Sequence, residues 1–222
     1  KAGPQDRANW VWQYYSRDAV RPEQVRNVEL GYRSTWWERL YLDATYYYSW
    51  YSDFIGYHLG LRIEDDPGGS AADRLRGVQA YRIASNATQQ VTTQGFSIGS
   101  NYYFSRYTIA ANYTWNVLNS GEDDPIIPAY NTPEHKYNVS FAGRDLNWRL
   151  GKGRSGFMAS YKWVEGFLFE GSPQFTGRIP SYSLIDAQVS WASPDQHWML
   201  KLGSSNLLNR KVVQVYGGPA VG

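Results

Sequence analysis

Between Tyr182 and Leu208 apolar and polar side chains alternate, and this constrains the chain more than any other feature. Ile185, Ala187, Val189 and Trp191 take one set of alternate positions; Asp186, Gln188 and Ser190 take the other. Pro194 and Asp195 follow, residues that favour tight reversals. Beyond them Trp198, Leu200 and Leu202 oppose His197, Lys201 and Gly203. Successive side chains on a strand point to opposite faces. The stretch therefore predicts a hairpin with one apolar and one polar face, its turn flanked by Trp191 and Trp198.

The same period recurs upstream. A first strand is predicted from about residue 24 to 35, with Val28, Leu30 and Tyr32 against Glu29, Gly31 and Arg33. A second runs from about residue 39 past Trp50, with Leu40, Leu42, Ala44, Tyr46 and Tyr48 against Tyr41, Asp43, Thr45, Tyr47 and Ser49. The third ends at 96–104, where Phe96, Ile98 and Tyr102 oppose Ser97, Gly99 and Asn101. The fourth sets Ile109, Ala111, Tyr113 and Trp115 against Thr108, Ala110, Asn112, Thr114 and Asn116. The fifth, from His135, sets Tyr137, Val139 and Phe141 against Lys136, Asn138 and Ser140. The sixth sets Phe157, Ala159, Tyr161 and Trp163 against Met158, Ser160 and Lys162. The opening hairpin completes about eight strands.

The connections alternate short and long. Residues 1–23 read as a loop, and long loops are predicted after the second, fourth and sixth strands. The first contains the turn signal Glu64–Ser70, and 71–77 is compatible with a helical turn. The short turns carry Trp36, Trp37, Tyr102, Tyr107, Trp191 and Trp198. Short turns, long external loops and aromatic girdles mark an up-and-down outer-membrane barrel. A soluble sandwich would bury the apolar face against a second sheet, and gives no reason for the loop asymmetry.

Composition supports this. Aromatics make up 17% of the 222 residues, including 19 Tyr and 10 Trp. Mean hydropathy is −0.55, and no run approaches the ~18 apolar residues of a membrane helix. A barrel with a polar interior has modest hydropathy. Cysteine is absent, which removes disulfides and thiolate metal sites. A net charge of +2 gives no nucleic-acid footprint. No signal peptide precedes Lys1, and 217–222 is a Gly-Pro-rich run, so a piece of a longer protein is expected.

Several segments resemble TonB-dependent outer-membrane receptors. Residues 21–32, from Arg21-Pro22-Glu23-Gln24-Val25 to Glu29-Leu30-Gly31-Tyr32, resemble a strand-opening segment of that family. Arg39–Ala44 with Tyr51–Ile55 resembles its next strand, and Asn131-Thr132-Pro133-Glu134-His135-Lys136 the start of a later one. Asp186–Val189 and Gly203–Asn209 resemble its penultimate strands. The resemblance implies the C-terminal part of a 22-stranded, plugged transmembrane β-barrel, with the plug domain and last strand lying outside this chain. It implies TonB as energising partner, outer-membrane lipid and lipopolysaccharide as surroundings, and a small nutrient ligand, with or without a surface lipoprotein. Ferric siderophores are the commonest cargo class it implies; cobalamin, glycans and peptides are alternatives.

No catalytic or cofactor site is expected. His58, His135 and His197 lack metal-ligand spacing, and no Gly-x-Ser-x-Gly signature occurs. His135 beside Pro133 reads as a strand start. Glu64–Asp66 and Glu122–Asp124 offer carboxylates to calcium, but their spacing matches no EF-hand and they read as solvated loops. Arg74, Arg76 and Arg178, in predicted external loops, are candidates for an anionic ligand or lipopolysaccharide, because guanidinium binds carboxylate or phosphate bidentately. Trp10, Trp12 and Tyr130, with Tyr14 and Tyr15, are candidates for stacking on a planar or sugar ligand. Asp43, Asn112, Asn138, Lys162, Asp186 and Lys201 are expected to pair with one another or with a plug. Two other classes remain open: a carbohydrate-binding β-domain, and a small passive outer-membrane barrel.

Overall fold

The alternation is realised as strand. The computed structural model describes residues 19–62, 79–120, 130–147, 152–171 and 176–220. Among them the strands are β1 (Gln24–Trp36), β2 (Leu40–Ser52), β3 (Ile55–Arg62), β4 (Gln79–Asn86), β5 (Val91–Phe104), β6 (Tyr107–Asn119), β7 (His135–Leu146), β8 (Arg154–Val164), β9 (Phe167–Glu170), β10 (Thr176–Ile179), β11 (Tyr182–Ala192) and β12 (Met199–Ser204). No helix appears among the described residues. Eight strands form one sheet in the order β1-β2-β5-β6-β7-β8-β11-β12, a meander in which each predicted strand lies beside its predicted neighbour. β3–β4 and β9–β10 are separate two-stranded sheets, where the sequence predicts only loop.

The chain falls into two compact units: 1–27, 49–93 and 118–130, and 28–48, 94–117 and 131–222. In the first, β3 and β4 pair antiparallel from Ile55↔Asn86 to Arg62↔Gln79. Ala87 and Val91 form a small core packed by Tyr51, Phe54 and Leu118. Tyr51 and Phe54 meet edge to face at 5.5 Å.

In the second unit, register joins like faces. Ala111 opposes Val139, and Val139 opposes Tyr161. Tyr161 opposes Ile185, and Val189 opposes both Phe157 and Leu202. Opposed residues share a face, so one continuous apolar surface runs from β6 to β12. Its side chains are exposed among the described residues: Leu202 is 76% exposed, Leu200 65% and Val139 43%. Fully buried apolar side chains are few among the described residues; Val91 and Ile179 are the largest. A soluble sandwich would bury such a face against a second sheet; among the described residues this face is exposed. Hydrocarbon would supply that layer without a packed core.

Two aromatic belts frame the surface. At the short-turn end Phe104, Tyr107 and Phe141 stack at 5.6–6.4 Å, and Phe157 meets Phe141 edge-on at 5.2 Å. At the other end Phe96 packs against Tyr113 and Trp115, and Tyr137 against Tyr161 and Trp163 at 5.4–6.0 Å. Between them lie Ile109, Ala111, Val139, Ala159 and Ala187. Tyr107 and Trp115 stand about 27 Å apart along β6 at ~3.4 Å per residue. A tilted strand of that length fits an apolar band of about 25 Å or somewhat less. The β1–β2 turn has an unforeseen detail. Trp37 and Glu38 both adopt left-handed φ, 50° and 56°. Arg39 N donates to Trp36 O at 3.1 Å, and mirror-image turns of this kind match strand twist.

Candidate functional site

The polar face carries hydrogen-bonding groups in rows. Asn112 opposes Asn138, which opposes Lys162; Ser140 opposes Ser160, which opposes Asp186. Arg33 Nε meets Asp43 Oδ2 at 2.5 Å, and Tyr41 donates to the same oxygen at 3.3 Å. Asp186 accepts Asn206 N at 2.8 Å. Asp43 and Asp186 thus have partners, whereas Lys162 and Lys201 form no ion pair among the described residues. A glycine opens one crossing on this face. Tyr47 on β2 donates across β5 to Asn116 Oδ1 on β6 at 3.2 Å. A Cβ on Gly95 would stand 2.5 Å from Trp115 O and 2.8 Å from the Tyr47 ring. Glycine here is what lets the tyrosine lie over the middle strand.

Side-chain clamps hold the two extra hairpins. In the first unit Ile55 N, at the start of β3, donates to Glu23 Oε2 at 3.0 Å. Asn86, at the end of β4, accepts Arg21 N at 2.7 Å and returns Nδ2 to Arg21 O at 2.9 Å and Asp53 O at 2.6 Å. Arg21 and Asp53 pair at 2.8 Å. In the second unit His135 N donates to Glu165 Oε2 at 3.1 Å. Asn131 accepts Glu170 N at 2.7 Å and returns Nδ2 to Glu170 O at 3.1 Å. Each clamp uses one carboxylate on a strand-opening N–H and one asparagine amide bonded both ways to backbone. Burial raises the Glu170 carboxyl above its ordinary range.

His135 opens β7, as expected of a strand start. Its Nδ1 lies 2.6 Å from the Tyr113 hydroxyl, with the rings 6.0 Å apart. That contact fixes the ring at the aromatic belt. No cluster of three or more metal-ligating side chains occurs among the described residues.

Of the predicted ligand residues, Trp10, Trp12, Arg74 and Arg76 lie outside the described residues, as do Tyr14, Tyr15, both acidic clusters and the 71–77 segment. Tyr130 is half-buried in the first unit, next in sequence to the clamp residue Asn131. Arg178 is exposed in the second unit, on β10 opposite Leu168. It belongs to a hairpin strand rather than the predicted loop. On its neighbour Gly177 lies the Tyr216 ring, which a Cβ would strike.

The family model for TonB dependent receptor-like β-barrels matches residues 4–207. The chain belongs to this family. Solved structures with the same fold include the copper transporter OprC, at TM-score 0.63 and 14% identity over 88% of this chain and 27% of that one. The FrpB iron transporter from Neisseria meningitidis (F3-3 variant) matches at 0.55 and 15% over 91% and 28%. The ferric-catecholate import receptor Fiu from E. coli K12 matches at 0.57 and 15% over 88% and 25%. The chain thus spans about a quarter of the length of these proteins. No curated protein matches it in sequence. This TonB-dependent receptor segment is all-β and antiparallel, and its family is one of outer-membrane transporters and receptors rather than enzymes.

Proposed function

We propose that the chain is the C-terminal part of a plugged outer-membrane barrel that captures a scarce solute and imports it with TonB-supplied energy. The observation carrying the reading is the exposed, aromatic-framed apolar face on a meander whose connections alternate short and long. The plug and the last strand would lie elsewhere in the full protein, within a barrel of 22 strands. Cargo of the ferric-siderophore class is the proposal, in keeping with the metal transport named for the structural neighbours. Trp10, Trp12 and Tyr130 are proposed to stack on the ligand, and Arg74, Arg76 and Arg178 to meet its anionic groups. Lys162 and Lys201 would meet acidic groups of the plug.

The test starts with intact mass. A mature protein several-fold heavier than 25.4 kDa is expected; a mass near that value would remove the plug and energised import. A strain lacking the receptor is then offered iron on a panel of siderophores. Radioiron uptake should fail for at least one chelate and return with the intact gene, but not when the proton gradient is dissipated. Unchanged uptake for every chelate would remove the siderophore reading. Uptake that survives loss of the gradient would remove the energised one.

A further inference from the structure

On the apolar face, at the long-loop end of β11, one arginine is held by two sets of bonds. After β12 the chain turns at Asn206, whose φ is 48°. Leu207 N donates to Ile185 O at 2.7 Å, which keeps the chain alongside β11. Asn206 then grips the Arg210 main chain both ways: Arg210 N donates to Oδ1 at 2.9 Å, and Nδ2 donates to Arg210 O at 2.8 Å. The Arg210 side chain is held as well, Nη1 donating to Ser183 Oγ at 2.8 Å. Ser183 opposes Trp163 in the β8–β11 register. Trp163 stacks on Tyr137 at 5.4 Å, within the aromatic belt on that side. The guanidinium therefore sits at the belt, on the face that meets hydrocarbon.

A cation held there has one bond to a neutral hydroxyl and no carboxylate partner among the described residues. Of the acidic side chains close in register, Glu165 accepts His135 N at 3.1 Å, and Asp186, on the opposite face, accepts Asn206 N at 2.8 Å. A guanidinium has five N–H donors, so most remain to be satisfied. Lys211, also exposed, adds a second positive charge in the next position. At a belt the available acceptors are water and lipid headgroups, and guanidinium matches phosphate bidentately. Basic groups beside membrane strands or helices gather anionic headgroups in this way.

We infer that Arg210, pre-set by Asn206 and Ser183, is a docking point for the phosphate of a lipid in the leaflet on the long-loop side. In the orientation proposed above, on which this rests, that lipid is a phosphorylated glycolipid of the outer leaflet. Ser183 and Asn206 are positioning residues, and Trp163 provides the surface against which the sugar or upper acyl chain lies.

The test uses the full-length receptor in phosphatidylcholine nanodiscs with lipopolysaccharide, either native or enzymatically dephosphorylated, added in trace amounts. Bound glycolipid is read by native mass spectrometry. Native lipopolysaccharide should bind the parent, and binding should weaken about tenfold in Arg210→Ala. Arg210→Lys should fall between the two, because charge remains while the two-pronged geometry is lost. Dephosphorylated glycolipid should bind parent and variant alike, and weakly. Lys136→Gln, on the polar face of β7, should leave binding unchanged. Equal binding by parent and Arg210→Ala, or no effect of dephosphorylation, would overturn the inference. So would inorganic phosphate that binds alone and displaces the lipid, since the site would then serve a free anion. A receptor that fails to enter the nanodisc would overturn the membrane orientation itself; one that enters and ignores Arg210→Ala overturns this inference alone.

Discussion

In the sheet from β6 to β12, Ala111, Val139, Ile185 and Val189 share one face, and each strand finds its neighbour through backbone pairing and like-face register. In the hairpins β3–β4 and β9–β10, the stabilising bonds at the base come from side chains reaching backbone. Asn86 and Glu23 hold the first; Asn131 and Glu165 fix the segment that grips the second. The sheet needs an apolar solvent on one face, whereas the hairpins need particular amides in particular places. Damage should therefore spread through the sheet but stay local in a hairpin.

The largest effect expected is at the apolar face. Lysine at Ala111 or Val189 should cost roughly 2–4 kcal/mol near the membrane midplane and impair assembly. Lysine at Asn112 or Gln188, one residue along on the polar face, should cost much less. Refolding of the full-length receptor into lipid vesicles, followed by heat-modifiable gel migration, reads the difference. Equal losses on both faces would break the distinction between them.

Gly95 sharpens the comparison, because it makes one point of the polar face intolerant. Gly95→Val places a branched side chain where even a Cβ is 2.5 Å from Trp115 O. Overpacking of that kind costs about 1–3 kcal/mol. Tyr47→Phe, which removes the bond to Asn116, should cost about 1 kcal/mol or less. If Gly95→Val refolded like the parent, the crossing of Tyr47 over β5 would be wrong.

The clamps come next. Asn131→Ala loses two part-buried bonds and puts alanine at a φ of 47°. It should cost about 2 kcal/mol. Asn86→Ala loses bonds that are mostly exposed, and about 1 kcal/mol is expected. Hydrogen exchange should rise at Glu170 in the first variant and at Arg21 in the second, with vesicle insertion retained in both. Loss of insertion in either would show that the hairpins support the sheet.

The contrast also explains what could be read in advance. Alternation is a one-dimensional signal, so the eight sheet strands and their faces were legible, from Val28 on β1 to Leu202 on β12. The face register followed, because like faces must join when a sheet has one greasy side. The hairpins were not legible. β9 and β10 are four residues each, too short for a period to emerge, and β3 and β4 lie far apart in a segment dominated by turn signals. Trp37 and Glu38 take left-handed φ without the Asn or Gly that normally announces it. The roles of Asn86, Asn131 and Gly95 depend on which backbone passes nearby, which composition does not encode. Arg210 was missed for the same reason: it follows the last alternating strand, and only the Asn206 turn carries it back to Ser183.

The smallest effects are in pH, and they have opposite signs at a hairpin and at a sheet turn. Burial raises the Glu170 carboxyl, so the folded hairpin holds its proton more readily than the unfolded chain. Its contribution is full below the unfolded pKa and falls as pH rises through the folded value. At the β11–β12 turn, Ser193 foremost, then His197, hydrogen-bonds Asp195 and lowers its pKa. That contribution is present above the unfolded pKa and is lost as pH falls through the lower folded value. Amide exchange at Glu170 should therefore slow on acidification. Exchange at Trp198, whose N–H donates to Ser193 Oγ at 3.0 Å, should quicken once acid reaches the lowered range of Asp195. Both comparisons are made after correcting for the intrinsic pH dependence of exchange. Glu170→Gln should flatten the first response and Asp195→Asn the second, each without touching the other. If one substitution moved both, the hairpin and the turn would be opening as a single unit, and the local character assigned to the clamps would fail.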